Sequence, residues 1–114
     1  MLGYKKLLLE GSISPSGKRM YFPFEILEKT GLKNNQYYEI LTKEPNVILL
    51  KPVNEKGYGV YKLCFGYRKG KPYFASITSV KLIRLLKTFF NLDDKKIYFT
   101  LSTKGKVIKL ELKR

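Results

Sequence analysis

A chain of 114 residues is long enough to bury one core but not two independent ones. Its 44% hydrophobic and 28% charged residues are those of a globular domain, which excludes disorder, and no apolar run approaches the ~20 residues of a membrane-spanning helix. Lys and Arg number 23 against 9 acids, a net charge of +14; self-repulsion at that charge points to a polyanionic partner, nucleic acid or an anionic membrane surface.

In chain order, Tyr4 to Ile13 reads as a Leu-rich strand broken by Gly11. Met1 to Lys6 lacks the long apolar region and cleavage site of a signal peptide. Ser14-Pro15-Ser16-Gly17 is a tight turn, because Pro presets φ early and Gly supplies a positive φ later. Lys18 to Phe22 is the second strand. Pro23 opens a short helix, Phe24 to Thr30, with Glu25 and Glu28 near its positive end, and Gly31 stops it. Tyr37 to Thr42 and Val47 to Lys51 form a hairpin around Glu44-Pro45-Asn46.

Residues 54–59, polar and glycine-bearing, read as a linker between a first unit, 1–53, and a second, 60–114. The order then returns. Val60 to Phe65 and Pro72 to Ser76 flank the turn Arg68-Lys69-Gly70-Lys71. Ser79 caps a helix from Val80 to Phe90, and Ile97 to Leu101 and Val107 to Leu112 flank Lys104-Gly105-Lys106. The lone cysteine, Cys64, excludes an internal disulfide framework and reads as a small buried hydrophobe on a strand.

The halves align. Gly31-Leu32 matches Asn91-Leu92, Tyr38 matches Tyr98, Val47-Ile48 matches Val107-Ile108 and Leu50 matches Leu110, all offset by 60 positions. The turn glycines Gly17 and Gly70 are offset by 53; the difference of seven implies a second helix two turns longer. The alternative is an unrelated α+β domain. The fold class expected is mainly β with short helices, as two tandem β-β-α-β-β units in one compact domain.

From Ser12 to Val53 the first unit resembles the AbrB/SpoVT family of swapped-hairpin DNA-binding domains, relatives of the MazE antitoxins and of MraZ. The resemblance is carried by Gly17-Lys18-Arg19-Met20-Tyr21-Phe22-Pro23-Phe24-Glu25-Ile26, then Gly31-Leu32-Lys33, then Tyr38 to Ile40 and Val47 to Lys51, in family order over about 40 residues. It implies a pseudo-dimeric swapped-hairpin barrel, built from one chain as in MraZ-type duplicated proteins. The pattern departs where the family's helical Arg pair falls on Leu27 and Glu28. Of the family's basic contacts, Lys18 carries over, with Arg19 beside it. The second unit has Ser76 for the motif proline and Pro72 for Arg19.

Candidate contacts to nucleic acid are Lys18 and Arg19 after the first turn and Arg68, Lys69 and Lys71 at the second. With pseudo-two-fold packing both clusters fall on one face, where Lys and Arg contact phosphate and Arg can read guanine. Solvated turns would favour the same residue types. In the second helix Leu82, Ile83, Leu86, Phe89 and Phe90 form one face, with Lys81, Arg84, Lys87 and Thr88 opposite. Those cations are either a solvated face or a basic helix surface. Tyr21, Phe22, Tyr73 and Phe74 adjoin the basic turns and serve as core or as base-stacking groups. Lys104, Lys106, Lys109, Lys113 and Arg114 make a basic chain end.

Histidine is absent, Asp93-Asp94 is the only adjacent acidic pair, and Ser16-Gly17-Lys18 is no P-loop. No catalytic residue, metal or cofactor is expected. The expectation is a cytoplasmic DNA-binding transcriptional regulator, a pseudo-dimeric monomer or homodimer, that contacts duplex DNA through basic turns and does not engage membranes. The alternatives are an architectural or RNA-binding protein without sequence preference, or an antitoxin. MazE-like antitoxins carry a separate toxin-binding tail that this sequence does not show.

Overall fold

The computed structural model describes residues 3–114, without the side chains of Leu7 and Leu8. Met1 and Leu2, part of the stretch read for a targeting signal, lie outside the described residues, as do the side chains of two of the three leucines in the Leu7-Leu8-Leu9 run. In chain order the elements are β1 (Lys5–Ser14), β2 (Arg19–Pro23), α1 (Phe24–Thr30), β3 (Gln36–Lys43), β4 (Val47–Val53), β5 (Val60–Arg68), β6 (Lys71–Thr78), α2 (Val80–Phe90), β7 (Ile97–Lys104) and β8 (Val107–Leu112).

Period-two alternation decides which side chains enter the interior. Met20 and Phe22 of β2, Phe99 and Leu101 of β7, and Ile108 and Leu110 of β8 are buried, while Arg19, Tyr21 and Tyr98 face outward. The strands close into an antiparallel barrel in the order β1-β2-β6-β5-β3-β4-β8-β7, which leaves no unpaired edge. Each hairpin of residues 5–53 is flanked on both sides by strands from residues 60–112. Exchanging β1–β4 with β5–β8 leaves the ring order unchanged. One core results, in which the Phe22 and Phe99 rings meet at 5.6 Å.

Glycine is required for space at two strand positions, Gly11 and Gly66, each under the ring of its cross-strand partner, Phe99 and Phe74. A Cβ on Gly11 would sit 2.4 Å from the Phe99 ring, its cross-strand partner, so the ring lies directly on that backbone. The irregularity of β1 is not at Gly11 as expected; the register with β7 slips earlier, between Leu7 and Glu10.

The helix signals act as read. Gly31 ends α1 with φ 70°, and Asn91 ends α2 with φ 55°. The Ser79 hydroxyl accepts the Leu82 N–H at 3.1 Å, closing the first turn of α2. Leu82, Ile83, Leu86 and Phe90 enter the core, each burial stabilising by about 1.5–3 kcal/mol. Phe89 does not join them. It is exposed beside Leu85, because it lies at the margin of the apolar arc that the other four fill.

Three further expectations are corrected. First, α2 exceeds α1 by one turn and not two: it has eleven residues against seven, and β6 has eight against five in β2, which together absorb the seven-residue difference. Second, Tyr38 does not correspond to Tyr98. Ile40 pairs with Leu50 and Leu101 pairs with Leu110, because the β3–β4 turn is one residue longer than the β7–β8 turn. Tyr98 therefore stands level with Tyr37, and buried Tyr38 with buried Phe99. Third, Cys64 is exposed: Leu63 takes the inward position of β5, and strand alternation turns its neighbour outward.

Candidate nucleic-acid interface

The two basic turns differ in build. Pro15 to Lys18 connect β1 to β2; the Gly17 N–H donates to Ser14 Oγ at 3.2 Å, the Lys18 N–H donates to the Pro15 carbonyl at 3.3 Å, and Lys18 has φ 57°. Lys69 and Gly70 alone connect β5 to β6, with φ 52° and 77°, the two positive angles of a type I′ hairpin. Because β2 and β6 are antiparallel, with Arg19 opposite Thr78 and Pro23 opposite Phe74, the turns leave opposite ends of that pair. They flank one outer surface, β1-β2-β6-β5, about 24 Å apart at ~3.4 Å per residue along β6.

The first turn is docked on the second helix. The Ser79 N–H, at the start of α2, donates to the Lys18 carbonyl at 3.1 Å. Beyond the far end of the helix, Lys87 Nζ lies 2.6 Å from Asp94 Oδ1. That hydrogen bond and charge, with a smaller contribution from the Lys18 charge, hold the Asp94 carboxyl below the ordinary carboxylate range. Lys87 is thus the one candidate cation that is half-buried and neutralised. Lys18, Arg19, Arg68, Lys69, Lys71, Lys81 and Arg84 are exposed, and none makes an ion pair among the described residues.

Of the five chain-end cations, Lys104 and Lys106 are exposed and the other three are tied locally. Lys113 pairs with Glu10, Lys109 with Glu111 at 3.3 Å, and the Arg114 guanidinium donates to the Phe90 carbonyl at 2.6 Å, capping α2. On the opposite helix, α1, Glu25 and Glu28 are exposed. Seven exposed cations without an ion pair among the described residues therefore lie on the two turns and α2, and others, among them Lys33, Lys51, Lys62, Lys95 and Lys96, are spread over the rest of the barrel.

Of the four aromatics beside the turns, Phe22 is core. Tyr21 and Phe74 stack on the outer surface with centroids 5.4 Å apart, and the Arg19 guanidinium lies 5.6 Å from each ring. Arg68 lies 5.2 Å from the ring of Tyr73, which is half exposed.

The strand register also assembles a group that the linear sequence does not display. Tyr98, Ser12 and Tyr21 are direct partners across β7, β1 and β2. Ser14 pairs with Arg19, and Lys96, preceding the Ile97 that faces Ile13, comes level with Ser14 on the other side. Lys96 Nζ lies 5.9 Å from the Tyr98 ring. These residues line an open groove of about 560 Å³. A second groove of about 550 Å³ occupies the position that the half exchange carries onto it, across β3, β5 and β6, lined by Tyr37, Lys62, Cys64, Ser76 and Thr78.

Asp93 and Asp94 turn apart, Asp93 accepting the Lys95 N–H at 2.8 Å and Asp94 meeting Lys87. Among the described residues no three His, Cys, Asp or Glu side chains converge, and no helix is long and apolar enough to cross a membrane. Compared with known proteins, the chain matches no family model, no curated protein and no solved structure.

Proposed function

We propose that this chain is a cytoplasmic DNA-binding protein, a transcriptional regulator of the AbrB-like kind. In this reading it is two tandem β-β-α-β-β units interlocked as a pseudo-dimeric swapped-hairpin barrel. The ring order that survives exchange of the halves supports the two-unit reading. The observation that carries the function is the set of seven exposed cations without acidic partners on the turns and α2 of a +14 chain. Lys18, Arg19, Lys81 and Arg84 serve one end of the binding surface, and Arg68, Lys69 and Lys71 the other. Phosphate contacts position the protein, and the arginines supply limited base readout. Since α2 is basic and α1 acidic, the surface is lopsided, which favours a target that is not strictly palindromic.

Selection from a random duplex pool, with mass in solution measured alongside, tests this reading. An enriched non-palindromic site is expected, with affinity falling by about 0.9 log units per log unit of salt for each phosphate contact. Binding that ignores salt, or no retained duplex, refutes it.

A further inference from the structure

We propose that the groove across β7, β1 and β2 binds an unpaired nucleotide of single-stranded nucleic acid, its base against Tyr98 and Tyr21 and its phosphate held by Lys96 and Arg19. The inference shares Arg19 with the duplex reading and rests on nucleic acid being the partner. Its basis is a two-row grid on the outer face of the barrel. The first row is Tyr98, Ser12, Tyr21; the second is Lys96, Ser14, Arg19. Each row crosses three strands, so its outer members stand about 10 Å apart, two interstrand spacings.

The chemistry of the rows is that of a nucleotide. Two tyrosines flank a serine too small to fill the space between them, and Ser12 is buried at the floor. Aromatic faces accept any base, because every base has a π-face. One step along the strands, two cations flank a second serine whose hydroxyl is already held by the Gly17 N–H. Arg19 and Lys96 each sit two residues from a tyrosine on the same side of their strand, so each cation lies over its own ring, at 5.6 and 5.9 Å. A nucleotide offers the same order, a flat apolar ring next to an anion. The groove volume falls in the range of small-molecule sites. Glu10, the one acid on its rim, is paired with Lys113.

The related groove across β3, β5 and β6 is an internal control. Tyr37 holds the place of Tyr98, but Lys62 occupies that of Ser12, and Thr78 and Ser76 replace Tyr21 and Arg19. It keeps the volume, loses one aromatic wall and both cations of the second row, Asn35 standing where Lys96 does, and carries a lysine where the first groove has its serine floor. Shape alone predicts equal use of both grooves; the grid predicts use of the first only.

The test is fluorescence anisotropy of the full chain with labelled oligo-dT, oligo-rU and a duplex of equal length. Tyr98→Ala is the informative variant, because Tyr98 is 49% exposed and its loss leaves the core intact, as a thermal melt will verify. Single-strand affinity is expected to fall about 5- to 100-fold, to recover in Tyr98→Phe, and to fall again in Lys96→Gln with a shallower salt dependence. Duplex affinity should stay within about twofold, and Tyr37→Ala should change neither. The dT and rU arms show whether DNA or RNA is the better ligand. If the chain binds duplex but not single strands, or if Tyr98→Ala and Tyr37→Ala act alike, the groove proposal is overturned and the duplex reading stands. If it binds neither, both fall.

Discussion

The Ser79 N–H donates to the carbonyl of Lys18 at 3.1 Å, which extends the β2–β6 ladder by one step and joins the first basic turn to the start of α2. Charge on the turn and charge on the helix must then reach a duplex together. Lys18 has φ 57°, a conformation that strains a residue with a Cβ by about 1 kcal/mol. Lys18→Gly relieves that strain while freeing the unfolded chain, and the two effects offset. Lys18→Gly with Arg19→Gln should therefore lower stability only by the cation–π contacts of Arg19, about 0.5–1 kcal/mol, and leave the fold intact. The same double variant should flatten the salt dependence of duplex binding by about 0.9 for each phosphate that the turn no longer neutralises. An unaltered slope removes this turn from the interface.

Lys87 is withheld from the surface by Asp94, not absent from it. Asp94→Asn removes the partner and adds one net positive charge, so duplex affinity should rise and its salt dependence steepen. Lys87→Gln, which removes a cation that is already neutralised, should change binding less than Arg84→Gln does. The Asp94 carboxyl is held below its usual range, so the stability this pair lends is present above that range and is lost only as pH falls through the lowered value. Salt titrations of the three variants at one pH rank these effects. A larger loss in Lys87→Gln than in Arg84→Gln contradicts the assignment.

Local chemistry explains what was legible in the sequence. Ser79, Gly31, Asn91 and the Lys69-Gly70 turn act within four residues of themselves, so cap and turn rules locate both helices and the second hairpin. Alternation accounts for the buried sets of β2 and β8 once their strands are placed. What failed was register. A single extra residue between Lys43 and Val47 moves every outward side chain of β3 by one position relative to β7, and identity at Tyr38 and Tyr98 concealed it. The row Tyr98, Ser12, Tyr21 depends on β1 pairing with a strand more than eighty residues away, and no local pattern carries that pairing. Outward alternation at Tyr98, with Lys96 two residues before it, was the one available signal.

Strand parity also makes a prediction about Cys64. It faces outward on β5, with its sulfur 3.9 Å from Asn35 Oδ1, at the rim of the second groove. One thiol per chain should react with an aromatic disulfide reagent in the native protein, at a rate that denaturant barely changes. Cys64→Ser should abolish labelling without moving the melting temperature. Reaction that waits for unfolding would place the sulfur inside the barrel and reverse the parity of β5.

Tyr38 gives the opposite case, a polar group carried inward by the same alternation. It is 4% exposed on β3, and burial pushes its phenol up to about 12 from an ordinary value near 10. The protonated phenol is favoured in the folded chain, so its contribution is complete below the unfolded value. Between pH 10 and 12 the unfolded chain ionises first, and stability falls by about 1.4 kcal/mol per pH unit from this group. Above the folded value the loss levels off. Tyr38→Phe removes this dependence and keeps the packing of the ring. Urea unfolding of the two proteins at pH 9 and pH 11 should show the wild-type midpoint dropping further than that of the variant, by an amount that corresponds to about 1 kcal/mol. Equal drops would mean that the phenol reaches solvent and that β3 is turned the other way.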